Sequence, residues 1–430
     1  MQQESRVVPR IIKYGLLGMV IVLPFQTFLT VWAAQEFGHL YAITAWKEVA
    51  VVVLAALALY LAFSNKKLLR LLVARKFNLL LVAYALLFIL YMPFAASQSQ
   101  FFVGLAINLR FVLMFFVAQV VYFYYPQLLR SLLKAIAVTG VVVASVAILH
   151  VLLLAPNFLT NFGYDEPGQN TVGIPPAYHL VADSGLIRAQ ATLRGPNALG
   201  AYLIIPLAIW FYAFVKHRRM ALSAFACGVI GLAILMSHSR SAWLAAAVVV
   251  ALILMQALNF TRKHVSIMLV SLAAMAVLGF VSFDNNVLFR QLVLHDVVSL
   301  STAQDSNAGH LQATVRGVRD VLRQPFGEGP GSAGPASALG GTDTEVSENY
   351  FIQVMQEVGI LGGLLFLASQ LWVGLELWRG RADAKVFVVL AAGVGLVLTN
   401  LLLHTWADET VAMTWWALAG AALPRAKGAK

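Results

Sequence analysis

The chain has 430 residues, of which 60% are hydrophobic and only 11% charged, with a formal net charge of +11. Soluble domains average about 25% charged residues, so this chain lacks the polar surface to face water on all sides. A soluble enzyme, a nucleic-acid-binding module and a disordered regulator are excluded, and the basic excess reads as loop charge that fixes membrane topology.

A membrane-crossing helix needs about 20 mostly apolar residues. That rule gives twelve candidate spans, over 14–34, 46–64, 77–95, 101–124, 133–155, 197–215, 219–237, 240–258, 265–283, 350–378, 385–404 and 408–424. The first run has no small-residue cleavage site behind it and is expected to be a permanent helix. The expected fold is therefore an all-α polytopic membrane protein, one integral domain over 1–430. Cys227 is the single cysteine and sits in an apolar run, so no intrachain disulfide and no cysteine metal site is expected.

Basic residues decide the orientation. With the N-terminus in the cytoplasm, the inner segments carry 21 of the 30 Lys and Arg against three acids, Glu4, Glu376 and Asp383. Every second loop then obeys the positive-inside rule, and both termini face the cytoplasm. Two connections are too long to be turns, and both fall on the outer side: 156–196 and the larger 284–349. They are expected to lie as lids on the helical bundle. The stretch Gly327-Glu328-Gly329-Pro330-Gly331 lacks the Lys-Ser/Thr ending of a phosphate loop and is expected to be tightly turning backbone.

Nine basic residues remain outside the inner loops: Lys47, Arg110, Arg188, Arg194, Arg240, Arg290, Arg316, Arg319 and Arg323. Eight are arginine, on a side that is otherwise acidic. A guanidinium offers a planar fork of donors that matches phosphate oxygens, so a phosphorylated substrate on the outer side is the natural inference. Arg194 precedes Gly195-Pro196-Asn197, where a proline-started helix leaves backbone N–H groups pointing outward toward an anion. Arg240 follows Ser237-His238-Ser239 and opens the next span; its alternative role is to snorkel to the interface. Arg316 and Arg319 lie one helical turn apart in the run from His310 to Arg323, and either bind substrate or form the solvated face of an amphipathic helix. Arg110 lies inside the fourth span, where a charge is functional by default, or else belongs to a structural ion pair. His238, His295 and His310 have no partner at metal spacing, and no metal site or cofactor motif is expected.

Glu348 and Asn349 stand where the larger loop re-enters the membrane. A carboxylate in a partly dehydrated site tends to hold a proton near neutrality, and Glu348 is a candidate to take one from a sugar hydroxyl. Its alternative is to complement the dipole of the following helix.

These residues carry a resemblance to the O-antigen ligase and polymerase family of bacterial inner-membrane glycosyltransferases. It rests on Arg194-Gly195-Pro196-Asn197-Ala198, on Ser239-Arg240-Ser241-Ala242-Trp243, and on the basic run from Arg316 to Phe326-Gly327-Glu328-Gly329. It also rests on Asn349-Tyr350-Phe351-Ile352 leading into Glu357-Val358-Gly359-Ile360-Leu361-Gly362. The resemblance implies transfer of a glycan from undecaprenyl pyrophosphate to an acceptor sugar hydroxyl, on the periplasmic face of the inner membrane and without a metal. For the ligase the acceptor is lipid A–core oligosaccharide; for the polymerase it is a second lipid-linked repeat. The family's essential arginines map onto Arg240 and onto Arg316 or Arg319. The family usually has His-Asn where this chain has Glu348-Asn349, so the base is Glu348, His310 or another loop residue. Arg110, Arg194, Asn197, His310 and Asn349 are the expected substrate-binding residues. Transport of a phosphorylated lipid is the rival from another class, and it would require basic residues reaching through the membrane.

Overall fold

In a bilayer the backbone has no water to bond, so apolar stretches satisfy their N–H and C=O groups within helices. The computed structural model follows that rule and describes residues 7–94, 97–169, 171–181, 185–257, 306–340 and 348–423. The expected span over 265–283, Arg290 and His295 lie outside them, as does the side chain of His310.

The helices are α1 (Val7–Val22), α2 (Gln26–Phe37), α3 (Leu40–Thr44), α4 (Trp46–Ser64), α5 (Lys66–Ala74), α6 (Lys76–Leu90), α7 (Gln98–Tyr124) and α8 (Leu128–Leu153). They continue as α9 (Pro196–Val215), α10 (Met220–Met236), α11 (Arg240–Ala257), α12 (Ser306–Arg323), α13 (Tyr350–Arg379), α14 (Ala384–Leu402) and α15 (Glu409–Ala422). Among the described residues eight helical stretches are long and apolar enough to cross a membrane, the first of them Val7–Phe37 and the second Leu40–Ser64. The pair α5 and α6, bent by 82°, makes a ninth if taken as one span.

Of the other expected spans, 219–237 and 408–424 are shorter helices among the described residues, and 265–283 lies outside them. Helix α10 has 17 residues, and α15 has 14, every one of them buried. The apolar character of α15 serves the protein core and not lipid contact. It packs so closely on α7 that a Cβ at Gly420 would lie 2.4 Å from the carbonyl oxygen of Phe115. Trp416 stacks on Phe111 with ring centres 5.3 Å apart and meets Phe115 edge-on at 5.2 Å. Buried aromatic pairs of this kind add about 0.5–1.5 kcal/mol beyond their area.

The first span breaks at Pro24, which has no N–H to donate. Two carbonyls at the break also accept from side chains: that of Leu23 from Thr410 at 3.0 Å, and that of Pro24 from Thr192 at 2.6 Å. The break therefore ties the first span to α15 and to the segment before α9.

The long connection after α8 departs from the all-α expectation. It holds a 3₁₀ helix over Pro156–Phe162 and a two-stranded antiparallel sheet, β1 (His179–Leu180) and β2 (Ile187–Arg188), with His179 opposite Arg188. The second connection carries α12 and a 3₁₀ helix over Gly334–Gly340. Between them the chain turns tightly, as expected, through Gly327, Gly329 and Gly331 at positive φ. Gly327 lies against a kink in α13 at Val358 and Gly359, where Gly359 has φ 73°. A Cβ at Gly359 would meet the Pro325 oxygen at 2.6 Å, and one at Gly327 would meet the Gly359 nitrogen at 2.5 Å. Only glycine fits this interlock.

Candidate active site

The two-stranded sheet, the start of α9, the turn between α10 and α11, and the turn before α15 meet at one end of the bundle. The sheet, the start of α9 and the turn before α15 border an open cavity of about 230 Å³, lined among others by His179, Arg188, Arg194, Asn197, His404 and Asp408.

Arg188 organises one wall. Its Nε donates to the Ser237 carbonyl at 3.0 Å, and its Nη2 donates to Oδ1 of Asn197 at 2.9 Å. The hairpin is further fixed by Ala189, whose N–H donates to the Met236 oxygen at 2.8 Å. Burial and the nearby charge of Arg240 push the Arg188 pKa down to about 10, still cationic at neutral pH. Arg240, the first residue of α11, thus lies within electrostatic reach of the cavity wall. Arg194 is exposed on the same cavity, and no hydrogen bond or ion pair is made by it among the described residues. Two positive groups on a concave wall, beside the start of α9, suit an anion such as a phosphate.

His179 gives the cavity a base. Gln190 is buried, and its Nε2 donates to the carbonyls of Pro176 at 2.9 Å and Ala177 at 3.0 Å. Its Oε1 must then accept from Nδ1 of His179, 2.7 Å away. A neutral imidazole that donates through Nδ1 keeps the lone pair on Nε2. The Cε1–Nε2 edge of the ring lies beside Gly195 on the cavity wall. Burial, and to a smaller extent the charge of Arg188, lower the His179 pKa and hold the ring neutral. His404, on the opposite side, is pushed down to about 4 by burial and by Arg194.

Arg110 sits behind the cavity floor. It pairs with Glu48 at 3.0 Å and with Glu409 at 3.0 Å, and it donates to the Ala407 carbonyl. Lys47 lies 3.4 Å from Glu48 and 3.9 Å from Glu409. Ala407 and Asp408 line the cavity, so the structure places Arg110 in an ion-pair network that holds the floor in place. That is the structural alternative its sequence position left open.

Asn349 caps α13 by accepting from the N–H of Phe351 at 2.9 Å and of Ile352 at 3.2 Å. Its Nδ2 reaches the Leu401 carbonyl at 3.0 Å, tying α13 to the end of α14. Glu348 precedes this cap, half-buried, and is not among the residues lining the cavity. Arg316 and Arg319 are exposed on α12 and do not line it either.

A second polar assembly supports the region from within. The buried Glu357 accepts from Nδ2 of Asn108 at 2.7 Å and from Nε2 of Gln353 at 3.1 Å, and the N–H of Gly331 also donates to it. Tyr350 donates to Oδ1 of Asn108 at 2.7 Å. The turn at Gly327–Gly331 is thereby fastened to α7 and α13.

The structure thus brings together Arg194, Asn197 and, through Arg188, Arg240. It adds His179, His404 and Asp408, which the sequence did not single out, because 225 residues separate His179 from His404 in the chain.

A polytopic helical membrane protein with an arginine-rich, histidine-bearing cavity at one end is the class that fold and site define. Residues 225–367 match the protein family described as O-Antigen ligase. The chain is also 23% identical over 287 residues to an O-antigen polymerase of Salmonella muenchen, a match covering 65% of this chain and 69% of that protein. Over these residues the chain is similar to proteins of the O-antigen ligase and polymerase family. The family match includes Arg240, Arg316, Arg319, Glu348 and Asn349, whereas His179, Arg188, Arg194 and His404 lie outside it.

Proposed function

We propose that the chain is an O-antigen ligase. It would transfer a glycan from undecaprenyl pyrophosphate to a sugar hydroxyl of lipid A–core oligosaccharide at the periplasmic face of the inner membrane, in lipopolysaccharide biosynthesis. The observation that carries this reading is the pairing of Arg188 and Arg194 with a neutral His179 on one cavity. In the proposed reaction the acceptor oxygen attacks the anomeric carbon and the bond from that carbon to the pyrophosphate oxygen breaks. Undecaprenyl pyrophosphate leaves with the bonding electrons. Arg188, Arg194 and Arg240 bind the pyrophosphate and stabilise the charge that develops on it, which makes a divalent metal unnecessary. Nε2 of His179 takes the acceptor proton.

Glu348 is the second group proposed for that proton, since it stands beside the Asn349 cap near the end of α14. The two are separated by H179Q and E348Q: the variant that lacks the base loses turnover, and the other keeps it. Arg316 and Arg319 are proposed to contact the donor or its lipid from the second connection. Asn197 is proposed to hold Arg188 toward the pyrophosphate, and Asn349 and His310 to line the acceptor's approach.

A second reading, O-antigen polymerase with another lipid-linked repeat as acceptor, is favoured by the name of the Salmonella muenchen relative. Complementation of a ligase-null strain tests the first reading. The wild-type gene should restore O-antigen on lipid A–core and R240K should not, with both proteins present in the membrane. Restored O-antigen from R240K would remove Arg240 from the mechanism, and no restoration by the wild type would favour the polymerase.

A further inference from the structure

Helix α12 divides into three lengthwise stripes, at about 100° of rotation per residue. Gly317 and Val321 are buried, and beside them Asp320 accepts from Nε2 of Gln356 on α13 at 3.3 Å. This stripe docks the helix on the bundle. The next carries Val315, Val318 and Leu322, which are 48%, 45% and 72% exposed. The third carries Arg316, Arg319 and Arg323, all exposed. Hydrophobic side chains at i, i+3 and i+7 thus face outward beside a parallel row of arginines. Exposed apolar surface organised in this way marks a contact surface and not a solvated face.

The helix is also held at a definite level. Just after it, Pro325 accepts from the N–H of Ile360 at 2.9 Å, at the kink of α13. Phe326 accepts from the hydroxyl of Tyr91, the residue that follows α6. Taken as one span, α5 and α6 give way to a loop at the end of α6, which puts the C-terminal end of α12 at the edge of the apolar belt. Phe326 is 82% exposed there, and the neighbours of Tyr91, Leu90 and Met92, are exposed as well. The apolar stripe of α12 is therefore continuous with exposed apolar side chains at the end of α6.

We propose that α12 is a membrane-surface helix. It beds Val315, Val318, Leu322 and Phe326 among the acyl chains of the leaflet on the cavity side, and its arginine row reaches the lipid phosphates. Arginine beside an apolar stripe suits that position, because its long stem lies along the acyl region while the guanidinium rises to the headgroups. The inference needs only that the chain spans a bilayer, and it does not depend on which acceptor the enzyme uses.

The test uses the full-length chain with C227S, in nanodiscs of phosphatidylglycerol and phosphatidylcholine, with a nitroxide at V318C, L322C, R323C or V172C. Val172 lies exposed in the first long connection and serves as the aqueous reference. Collisions with oxygen, which concentrates in the bilayer, are compared with collisions with a water-soluble nickel chelate. The oxygen-to-nickel ratio at 318 and 322 should exceed that at 172 several-fold, and the ratio at 323 should fall between them. A ratio at 322 equal to that at 172 would overturn the proposal. Shielding of 322 from both reagents, with short label-to-label distances between copies, would overturn it in favour of a second copy of the chain.

Discussion

Nδ1 of His179 donates to Oε1 of Gln190 across 2.7 Å, and this contact decides which nitrogen of the ring is basic. Because Gln190 spends its Nε2 on two backbone carbonyls, its amide cannot turn over without leaving buried groups unpaired. The ring is thus held in the tautomer that presents a lone pair at Nε2. H179Q should insert and fold but transfer glycan about 100-fold more slowly or worse, the usual worth of a positioned general base. Normal turnover by H179Q, with loss in E348Q, would give the proton-accepting role to Glu348.

The same ring sets an acid limit. Burial lowers the His179 pKa from 6.5, so the ring is neutral at pH 7 and becomes protonated only below its ordinary value. A protonated Nε2 cannot accept a proton, so kcat/KM should be flat near neutrality and fall as pH drops through the lowered pKa. A pH profile of H179Q should lose that limb. If the limb persists in the variant, another group produces it.

Arg110 tests how the cavity floor is built. Removing one partner of a buried ion pair leaves an uncompensated charge, which costs about 3–5 kcal/mol. R110L should therefore lower thermal stability in detergent strongly, because Glu409 loses its closest cation. A variant with unchanged stability and a raised KM for the donor would instead make Arg110 a direct substrate contact.

The glycine interlock makes a separate prediction. At φ 73°, and with the Pro325 oxygen 2.6 Å from where a Cβ would stand, Gly359 has no room for a side chain. G359A should destabilise the fold by about 1–3 kcal/mol from backbone strain alone. It should also reduce activity by loosening the turn at Gly327–Gly331. Melting curves and turnover of G359A check both.

Much of this was legible in the sequence. Hydropathy located α7, α8, α9 and α13 within a few residues, since a long apolar run can do little else in a bilayer. The arginine bias pointed to Arg194 and Arg240, which the structure brings to one end of the bundle through Arg188. Hydropathy marked 408–424 as apolar but not that α15 is buried in protein, because a helix buried in protein and a helix facing lipid are equally apolar. Trp415 and Trp416 face partners on α7 and α14, which one-dimensional periodicity does not show. The tautomer of His179 and the ion-pair partner of Arg110 were not legible for a related reason. The tautomer depends on how the connection folds Gln190 against His179, and the ion pair on Glu409, which meets Arg110 only when distant helices pack.

The central claim is that the arginine and histidine cavity binds a polyprenyl-pyrophosphate glycan and transfers it to a sugar. The most direct measurement gives purified chain undecaprenyl-pyrophosphate-linked glycan together with lipid A–core and a second lipid-linked repeat, with EDTA present. The account predicts glycan on lipid A–core from the wild type and none from a variant carrying R188Q and R194Q. Absence of product with either acceptor, in a preparation whose cavity residues are intact, would contradict it.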